Sequence, residues 1–362
     1  MTTATPPDTR IQFLRNLQNL LEEGDFSSTY KYALLHALAD ISVEAPDPAC
    51  APLEVYTTQI GAKFVEYYWR QARPFGVREA SGVLLQNAGQ QAAVLNRLVS
   101  VQAEVGGAYD RLRNNTQAWE RLLREVNTIV CTMPLWKLQN RGNGHRLEFI
   151  YAHPAGEGQV DSITLKPGVA DCFREFHGLI INMIRGAWAQ KVQSIAANQT
   201  LLGNDSQLLP FLFGSERADL SVYVSILHEH QDGKCFYCDK KMRSRGDVDH
   251  FVPWSRYPND LANNFVLADA ACNNSKRDHL ASTEHLQHWV EANIRQADKL
   301  GAAFAEQGIV ATPETSLQVT RWAYESGAAS GALMWRAGKE LLYFDPNWHE
   351  SLIPYKLRRA EC

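Results

Sequence analysis

Three of the seven cysteines lie between residues 235 and 272, and this cluster constrains the fold more than any other feature of the chain. Cys235 and Cys238 form a C-x₂-C pair that follows Gly233, and Cys272 comes later. Such a pair can present two thiolates to one tetrahedral metal ion. With an odd number of cysteines and no secretory signal, clustered thiols favour a metal over disulfides. We predict a structural Zn²⁺ site, with a metal-free fold as the alternative.

The fourth zinc ligand has to come from another residue near these cysteines. Asp269 precedes Cys272 by three positions, which repeats the spacing of the first pair with a carboxylate in place of one thiolate. Zn²⁺ accepts carboxylate oxygens at ~2.0–2.2 Å, so a site of three cysteines and one aspartate is chemically feasible. We therefore predict Cys235, Cys238, Asp269 and Cys272 as ligands, with His228, His230 and His279 as rivals for the fourth position.

A second pattern follows the cysteine pair. The run DHFVPWS (residues 249–255) ends an alternating segment that is typical of a strand, and its proline ends the strand. Asp249 and His250 are thus expected at the end of this strand, facing a groove. The runs NNFVLA (263–268) and CNNSK (272–276) come next. The Asp-His dipeptide also occurs at Asp278-His279, but there it does not lie between the cysteine pair and these runs. We therefore assign the catalytic role to Asp249 and His250.

The order of C-x₂-C, DHFVPWS, NNFVLA and CNNSK resembles the HNH endonuclease family, which belongs to the His-Me finger or ββα-metal nucleases. The resemblance covers residues 233–281 and implies two strands and a helix around one catalytic divalent ion. It also implies metal-dependent hydrolysis of phosphodiester bonds. Weaker similarity in TYKYALLHAL (29–38), YYW (67–69) and PFLFG (210–214) resembles bacterial HNH proteins of restriction or anti-phage defence.

The resemblance also implies roles for individual residues. His250 matches the general base, and an imidazole suits this role because its unperturbed pKa of ~6.5 leaves it largely neutral in the cell. Asp249 and Asn273 match the ligands of the catalytic Mg²⁺ or Mn²⁺, which prefers hard oxygen donors. Asn264 matches the residue that braces the catalytic loop, and the adjacent Asn263 is the alternative.

The basic residues after the last motif match a phosphate-binding position. Lys276 matches the family residue, and Arg277 is expected to act with it on nucleic-acid phosphate. A solvated helix face is the alternative for both. Asp269 departs from the family pattern, since many relatives carry cysteine or histidine there. This departure bears on the structural zinc and leaves the catalytic ion unaffected.

The chain as a whole is expected to be an α+β protein that is predominantly α-helical. We predict a helical N-terminal domain over 1–200, a connecting segment over 201–232, the nuclease finger over 233–281 and a helical region over 282–362. The N-terminal domain is expected to serve target recognition or interaction. Hydrophobic periodicity predicts helices at 29–41, 55–70, 83–104, 172–188, 284–304 and 316–342.

Two features of the N-terminal domain leave alternatives open. The β-rich runs at 146–151 and 160–165 predict a β-hairpin. The alternative is a winged-helix DNA reader that would use Arg141, His145 and Arg146. The aromatic triplet Tyr67-Tyr68-Trp69 is expected in the core, with base stacking as the alternative.

Net charge and hydropathy limit the classes of protein that remain. The chain has 36 Lys and Arg against 40 Asp and Glu, a net charge of −4, which excludes a polybasic protein that coats nucleic acid. Residues 234–279 carry eight basic and six acidic residues, so this segment is locally positive. Because no apolar run approaches the ~20 residues of a membrane helix, we expect a cytoplasmic protein without a membrane partner.

The resemblance implies a metal-dependent HNH endonuclease that acts on nucleic acid, with double-stranded DNA as the expected substrate. The expected cofactors are catalytic Mg²⁺ or Mn²⁺ and structural Zn²⁺. A partner protein of a defence system or a second copy of the chain is the expected protein partner. The alternatives are an RNA-cutting effector and a non-catalytic zinc-containing nucleic-acid-binding module.

Overall fold

The computed structural model describes residues 7–24, 26–46, 52–76, 81–140, 146–153, 160–203, 207–214 and 220–355. Its contacts divide the chain into two compact units, Met1–Gly214 and Ser215–Cys362. The fold is α+β and mostly helical, which confirms the predicted class. In the part of the chain that is described, none of the helices has the length and apolar character needed to cross a membrane.

The first unit is built mainly from α-helices. These are α1 Pro7–Glu23, α2 Tyr30–Glu44, α3 Thr57–Gln71, α4 Ala93–Val105, α5 Tyr109–Asn114, α6 Thr116–Thr132, α7 Pro134–Lys137, α8 Val169–Glu175, α9 His177–Ser194, α10 Gln199–Leu202 and α11 Leu208–Phe213, with a 3₁₀ helix at Ala196–Asn198. Two short strands, β1 Glu54–Tyr56 and β2 Ser162–Thr164, complete its described regular structure.

Helix α2 lies in the core of the first unit. Every residue from Tyr30 to Val43 is buried, because α3, α7, α8 and α9 pack around this helix. A surface helix would bury only one apolar stripe. The prediction of a core helix at 29–41 is confirmed, and Leu34 and Leu38 are fully buried as expected.

Two predicted helices of this unit differ in the structure. Residues 83–92 are not helical, and α4 begins only at Ala93, because amide side chains hold the preceding backbone in an irregular conformation. Leu85 donates its N–H to the Asn198 side chain, and Gln86 donates to the Gln91 side chain. The predicted helix at 172–188 is interrupted at Phe176, whose non-helical backbone (φ −105°, ψ 18°) separates α8 from α9.

The predicted β-hairpin is replaced by a longer-range pairing. Strand β2 pairs antiparallel with β1, with Glu54 opposite Thr164, while the 146–151 run meets 160–165 only at a bridge between Tyr151 and Leu165. The side chain of Gln139 occupies the backbone groups of the first run: it accepts from two N–H groups at 149 and 150 and donates to the Tyr151 carbonyl. Arg141 and His145 lie outside the described residues.

A buried carboxylate organises the polar groups in this core. Asp40 accepts hydrogen bonds from the Tyr67 hydroxyl (2.7 Å) and the His177 imidazole (2.8 Å), and His36 lies 3.3 Å away. Although burial by itself would raise it, contact with these histidines holds the pKa of Asp40 well below its usual value. The tyrosine is the first of the Tyr67-Tyr68-Trp69 triplet, whose other two rings are buried, so the triplet belongs to the core.

Substituting Asp40→Asn is expected to destabilise the first unit by about 2–4 kcal/mol, because it breaks a buried, charge-assisted network. A carboxylate whose pKa is depressed in the folded protein contributes fully to the free energy of unfolding above its pKa in the unfolded chain, about 4. This contribution is lost as the pH falls. The difference in unfolding free energy between D40N and the wild type should therefore narrow below about pH 4. Urea unfolding monitored by circular dichroism at several pH values measures this. The exposed Glu120→Gln should change stability by less than about 0.5 kcal/mol.

The described part of the second unit combines helices with two small sheets. Its elements are α12 Ser221–His230, β3 Asp247–His250, a 3₁₀ helix at Ala262–Asn264, β4 Phe265–Ala268, α13 Ala270–Lys276, β5 Leu280–Ala281, α14 Thr283–Trp289, a π-helix at Val290–Arg295, α15 Ala297–Glu306, α16 Pro313–Ala329, β6 Met334–Ala337, β7 Glu340–Leu342 and a 3₁₀ helix at Trp348–Tyr355. The antiparallel pair β3–β4 and the following α13 form the ββα finger that the resemblance implied.

The C-terminal region is not helical throughout. The predicted helix at 316–342 ends at Ala329, and residues 334–342 form the hairpin β6–β7, which turns at Gly338 (φ 52°). Strand β5 joins this hairpin by parallel pairing with β6. A glycine in the left-handed region suits such a tight turn, whereas an L side chain rarely adopts it.

The finger shares a hydrophobic core with the helices around it. Phe265 and Leu267 of β4 pack with Leu227 of α12 and with Leu300 and Phe304 of α15. A segment of about 50 residues has little core of its own. The flanking helices therefore provide the apolar surface that holds the finger.

Candidate active site and metal centre

The thiols of Cys235, Cys238 and Cys272 converge as the sequence predicts. Their sulfur atoms all lie within 4.8 Å of one another, so among the described residues these three form a group that could hold a metal ion. Burial, together with the two neighbouring thiols, raises the pKa of Cys272 to about 12. Three clustered thiolates are unfavourable without a cation between them, and a soft donor set of this kind fits Zn²⁺.

The backbone around the first two cysteines forms a tight turn. The Cys235 N–H donates to the Lys240 carbonyl and the Asp239 N–H donates to the Cys235 carbonyl, both at 2.9 Å. Gly233 and Asp239 both have positive φ (71° and 56°), and a Cβ at Gly233 would approach the His228 ring at 3.2 Å. The positive φ favours glycine before this turn, and a Cβ there would also require the exposed His228 side chain to shift.

Asp269 lies beside the thiol cluster and contacts two of its members. Its N–H donates to the Cys235 sulfur (3.2 Å), and its Oδ2 lies 3.8 Å from the Cys238 sulfur. Asp269 is the N-cap residue of α13, but its side chain makes no capping bond. His230, a rival fourth ligand, is instead hydrogen-bonded to the Ala292 carbonyl. These contacts favour the aspartate over that histidine.

Three of the residues assigned to catalysis, Asp249, His250 and Asn273, line a separate cleft of about 520 Å³, whereas Asn264 does not. Strand β3 ends at Asp249 and His250, and its pairing with β4 brings the following helix α13 back beside this strand end. The cleft thereby combines residues from two parts of the finger and the loop between them. Its lining consists of Asp249, His250, Pro253, Trp254, Asn273, Asn274, Arg277 and Asp278.

The imidazole of His250 is held by three neighbours. Its Nε2 lies 2.8 Å from Oδ1 of Asp260, and its ring packs edge-on against Trp254 and Phe265 with centroids 5.4 and 4.8 Å apart. The His250 side chain is 17% exposed. Asp260 was not assigned from the sequence, because a single acidic residue ten positions downstream carries no recognisable spacing.

Asp249 is bound by two donors from opposite sides of the motif. Its Oδ2 accepts from the Tyr237 hydroxyl (2.5 Å) and from the Lys276 ammonium (2.9 Å). Tyr237 lies between Cys235 and Cys238, so the metal knuckle is directly connected to the carboxylate in the cleft. Sequence reasoning did not find this tyrosine, although its place inside the C-x₂-C pair is a usable signal.

Lys276 occupies a different environment from the one that the resemblance implied. Its side chain is fully buried, and its Nζ donates to Asp249 and to the His250 carbonyl (2.8 Å). Burial lowers the pKa of Lys276, while Asp249 opposes that shift. The ammonium neutralises a carboxylate inside the finger because a buried charge needs a partner. It is not exposed to phosphate in this structure.

Arg277 is the exposed cation of this helix end. It lines the cleft and has a left-handed φ of 49°, which is uncommon for a residue other than glycine. Its Nε contacts the Asn274 carbonyl at 3.4 Å. The exposed guanidinium can therefore meet a phosphate in the cleft.

The two adjacent asparagines have distinct contacts. The Asn264 side chain accepts from the Val252 N–H (2.8 Å) and donates to the Val252 carbonyl (3.0 Å), which braces the loop after His250. The Asn263 side chain instead contacts Asn293 and Thr312. The geometry thus favours Asn264 over its neighbour for the bracing role.

Asn273 joins the cleft from helix α13. It is partly exposed, and its amide lies 3.5 Å from Oδ2 of Asp247. An amide oxygen and the Asp249 carboxylate in one cleft are donors that a hard divalent cation accepts. The donor set therefore fits Mg²⁺ or Mn²⁺.

Two family models match this chain, one in each of its units. A family model described as a domain of unknown function, DUF8808, matches residues 10–212, more than half of the chain. The chain belongs to the DUF8808 family. A second model, described as HNH endonuclease, matches residues 235–282, so the DUF8808 domain is followed by an HNH endonuclease domain. The comparison with curated proteins finds no match. The HNH match supports a nuclease, that is, a hydrolase whose substrate is nucleic acid.

Proposed function

We propose that this protein is a metal-dependent endonuclease that hydrolyses phosphodiester bonds in double-stranded DNA. The observation that supports it is the convergence of four residues on one cleft: Asp249 and His250 come from one motif, Asn273 comes from another, and Arg277 directly follows that second motif. A general base, two oxygen donors and a cation are the groups that phosphodiester hydrolysis requires. The weaker similarity outside the finger supports a role in restriction or anti-phage defence.

Each residue of the cleft has a role in this proposal. His250 takes a proton from the attacking water, and Asn264 keeps its loop in place. Asp249 and Asn273 would hold a divalent cation, which when bound would supply stabilisation of negative charge on the scissile phosphate and on the leaving 3′ oxygen. Arg277 binds phosphate in the cleft.

Lys276 has a positioning role in the same proposal. Its ammonium donates hydrogen bonds both to Asp249 and to the His250 carbonyl. It therefore sets the distance between the proposed metal ligand, Asp249, and the proposed base, His250. Tyr237 supports Asp249 from the zinc knuckle. We propose that Cys235, Cys238, Cys272 and Asp269 hold a structural Zn²⁺ that stabilises this knuckle.

The DUF8808 domain is proposed to select the target or to bind a partner, either a defence protein or a second copy of the chain. It has its own hydrophobic core, separate from the HNH unit. A domain of this size exceeds what phosphodiester hydrolysis requires. We therefore propose that target selection lies outside the catalytic finger.

The substrate is tested by incubating the purified protein with supercoiled plasmid, linear duplex DNA and structured RNA. With Mg²⁺ or Mn²⁺ we expect nicking or cutting of DNA that leaves 5′-phosphate ends, and no cleavage with EDTA. Cleavage of RNA alone would make the protein a ribonuclease. Binding of DNA without cleavage of any substrate under all metal conditions would instead favour the non-catalytic module.

The two metal sites are expected to respond to different substitutions. Asp269→Ala should lower the zinc retained after dialysis while leaving the Mg²⁺ concentration for half-maximal cleavage within about twofold, because Asp269 contacts the thiols and lies outside the cleft. Asp239→Asn, which alters an exposed residue of the same knuckle, should retain zinc. Unchanged zinc retention together with a large change in Mg²⁺ dependence would reassign Asp269 to the catalytic ion.

A further inference from the structure

We infer that Asp260 is a positioning residue that fixes the tautomer and orientation of His250. The inference rests on the proposed function, in which His250 is the general base. No family role was assigned to Asp260 from the sequence. The contact that carries the inference is the 2.8 Å hydrogen bond between Oδ1 of Asp260 and Nε2 of His250.

The loop that carries Asp260 is firmly attached. Its neighbour Leu261 and the nearby Tyr257 are buried, with 5% and 2% of their surfaces exposed. At the start of the loop, the Phe251 N–H donates to the Asn264 carbonyl (2.8 Å), and the Asn264 side chain holds Val252. The carboxylate is therefore presented to the imidazole by an anchored backbone.

The environment of Asp260 separates its role from that of a metal ligand. Asp260 is not among the residues that line the cleft, whereas Asp249 and His250 are. Its side chain is 28% exposed and touches the imidazole at the nitrogen Nε2. It thus contacts His250 without lining the cleft.

A carboxylate at Nε2 determines which nitrogen can accept a proton. An ionised carboxylate only accepts hydrogen bonds, so the neutral imidazole has to carry its proton on Nε2. Nδ1 then has the free lone pair. Among the described residues, no hydrogen-bond partner of Nδ1 competes for it.

The proton transfer that follows is balanced within the site. The water oxygen forms a bond to phosphorus as its proton passes to Nδ1, and the bond to the 3′ oxygen breaks. The leaving oxygen takes a proton from solvent. His250 is then a cation whose charge is stabilised by Asp260, and it returns the proton to solvent.

The ring contacts complete this arrangement. Trp254 and Phe265 meet the imidazole edge-on, so rotation about the Cβ–Cγ bond would cost both contacts and the hydrogen bond. Asp260 therefore restricts the orientation of the base as well as its protonation state. An orienting carboxylate of this type has a large effect on turnover and little effect on substrate binding.

The kinetic test compares Asp260→Asn and Asp260→Ala with the wild type on the substrate that it cuts. We expect kcat to fall roughly tenfold to a thousandfold, while KM for the nucleic acid stays within about threefold. Asp298→Asn, an exposed substitution on α15 of the same unit, should retain wild-type kcat. Wild-type kcat in D260N, with thermal unfolding unchanged, would overturn the inference.

A second measurement does not depend on nuclease activity. In the zinc-loaded protein labelled with ¹⁵N-histidine and kept without Mg²⁺, two-bond NMR correlations report which ring nitrogen of His250 carries the proton, and His250→Ala identifies its signals. At pH 8 the wild type should show the proton on Nε2, and D260A should show a mixture of both tautomers. Protonation of wild-type His250 on Nδ1 would contradict the inference even if the nuclease proposal holds. The expected tautomer in a protein that cuts nothing would uphold the contact and reject the proposed function.

Discussion

Replacing His250 with alanine is expected to reduce phosphodiester cleavage at least about 100-fold, the usual effect of losing a positioned general base. The imidazole is the basic side chain of the cleft that can take a proton from water near neutral pH. The substitution should leave the fold intact, because the β3–β4 pairing and the Asn264 contacts do not involve this side chain. Initial rates of plasmid nicking measure the effect, and circular dichroism checks the fold.

His279 supplies the matched control for this experiment. It belongs to the second Asp-His dipeptide and does not line the cleft. His279→Ala should therefore cut at a rate within about twofold of the wild type. Equal cleavage by H250A and the wild type would show that the active site lies elsewhere, whatever the sequence motifs imply.

The second large effect is expected from Cys235→Ser, which removes a buried thiol of the knuckle. Zinc should fall from about one equivalent per chain to nearly none. The second unit should lose at least about 3 kcal/mol of stability, because structural Zn²⁺ in small domains contributes ~10 kcal/mol or more of binding free energy. Elemental analysis and thermal unfolding measure these two quantities.

Cleavage should fall with the zinc, although Cys235 does not line the cleft. The reason is Tyr237, which lies in the same turn and donates to Asp249 at 2.5 Å. The control is Cys131→Ser, which alters a buried cysteine of the DUF8808 unit and should leave the zinc content unchanged. A Cys235→Ser protein with normal zinc and normal unfolding would contradict the proposed metal centre.

The finger was predictable because its information is local. The C-x₂-C pair, the strand that ends at His250 and the asparagine runs lie within 50 residues, and their spacings correspond directly to a turn, two strands and a helix. Helix α2 was predictable for a similar reason, since its apolar residues recur every three or four positions. Both elements depend on contacts that short-range periodicity encodes.

Other elements were not predictable because distant residues decided them. Residues 160–165 have the composition of a hairpin strand, but β1 lies about 100 positions earlier and takes the pairing. The side chain of Gln139 occupies the partner run. Residues 83–92 have helical periodicity, yet amide groups of Gln91 and Asn198 hold their backbone. Pattern analysis does not include such side-chain competition for backbone groups.

The sequence by itself determined the class of chemistry: clustered thiols, an Asp-His pair and amide-rich runs in one order predict an HNH nuclease finger, now matched over residues 235–282. The tertiary structure alone decided how the charges are used. It buries Lys276 against Asp249, leaves Arg277 exposed in the cleft and places Asp260 against Nε2 of His250. Residue type and spacing specify which groups are present. Whether a charge faces solvent, phosphate or another charge depends on burial, and burial is set by packing across the whole unit.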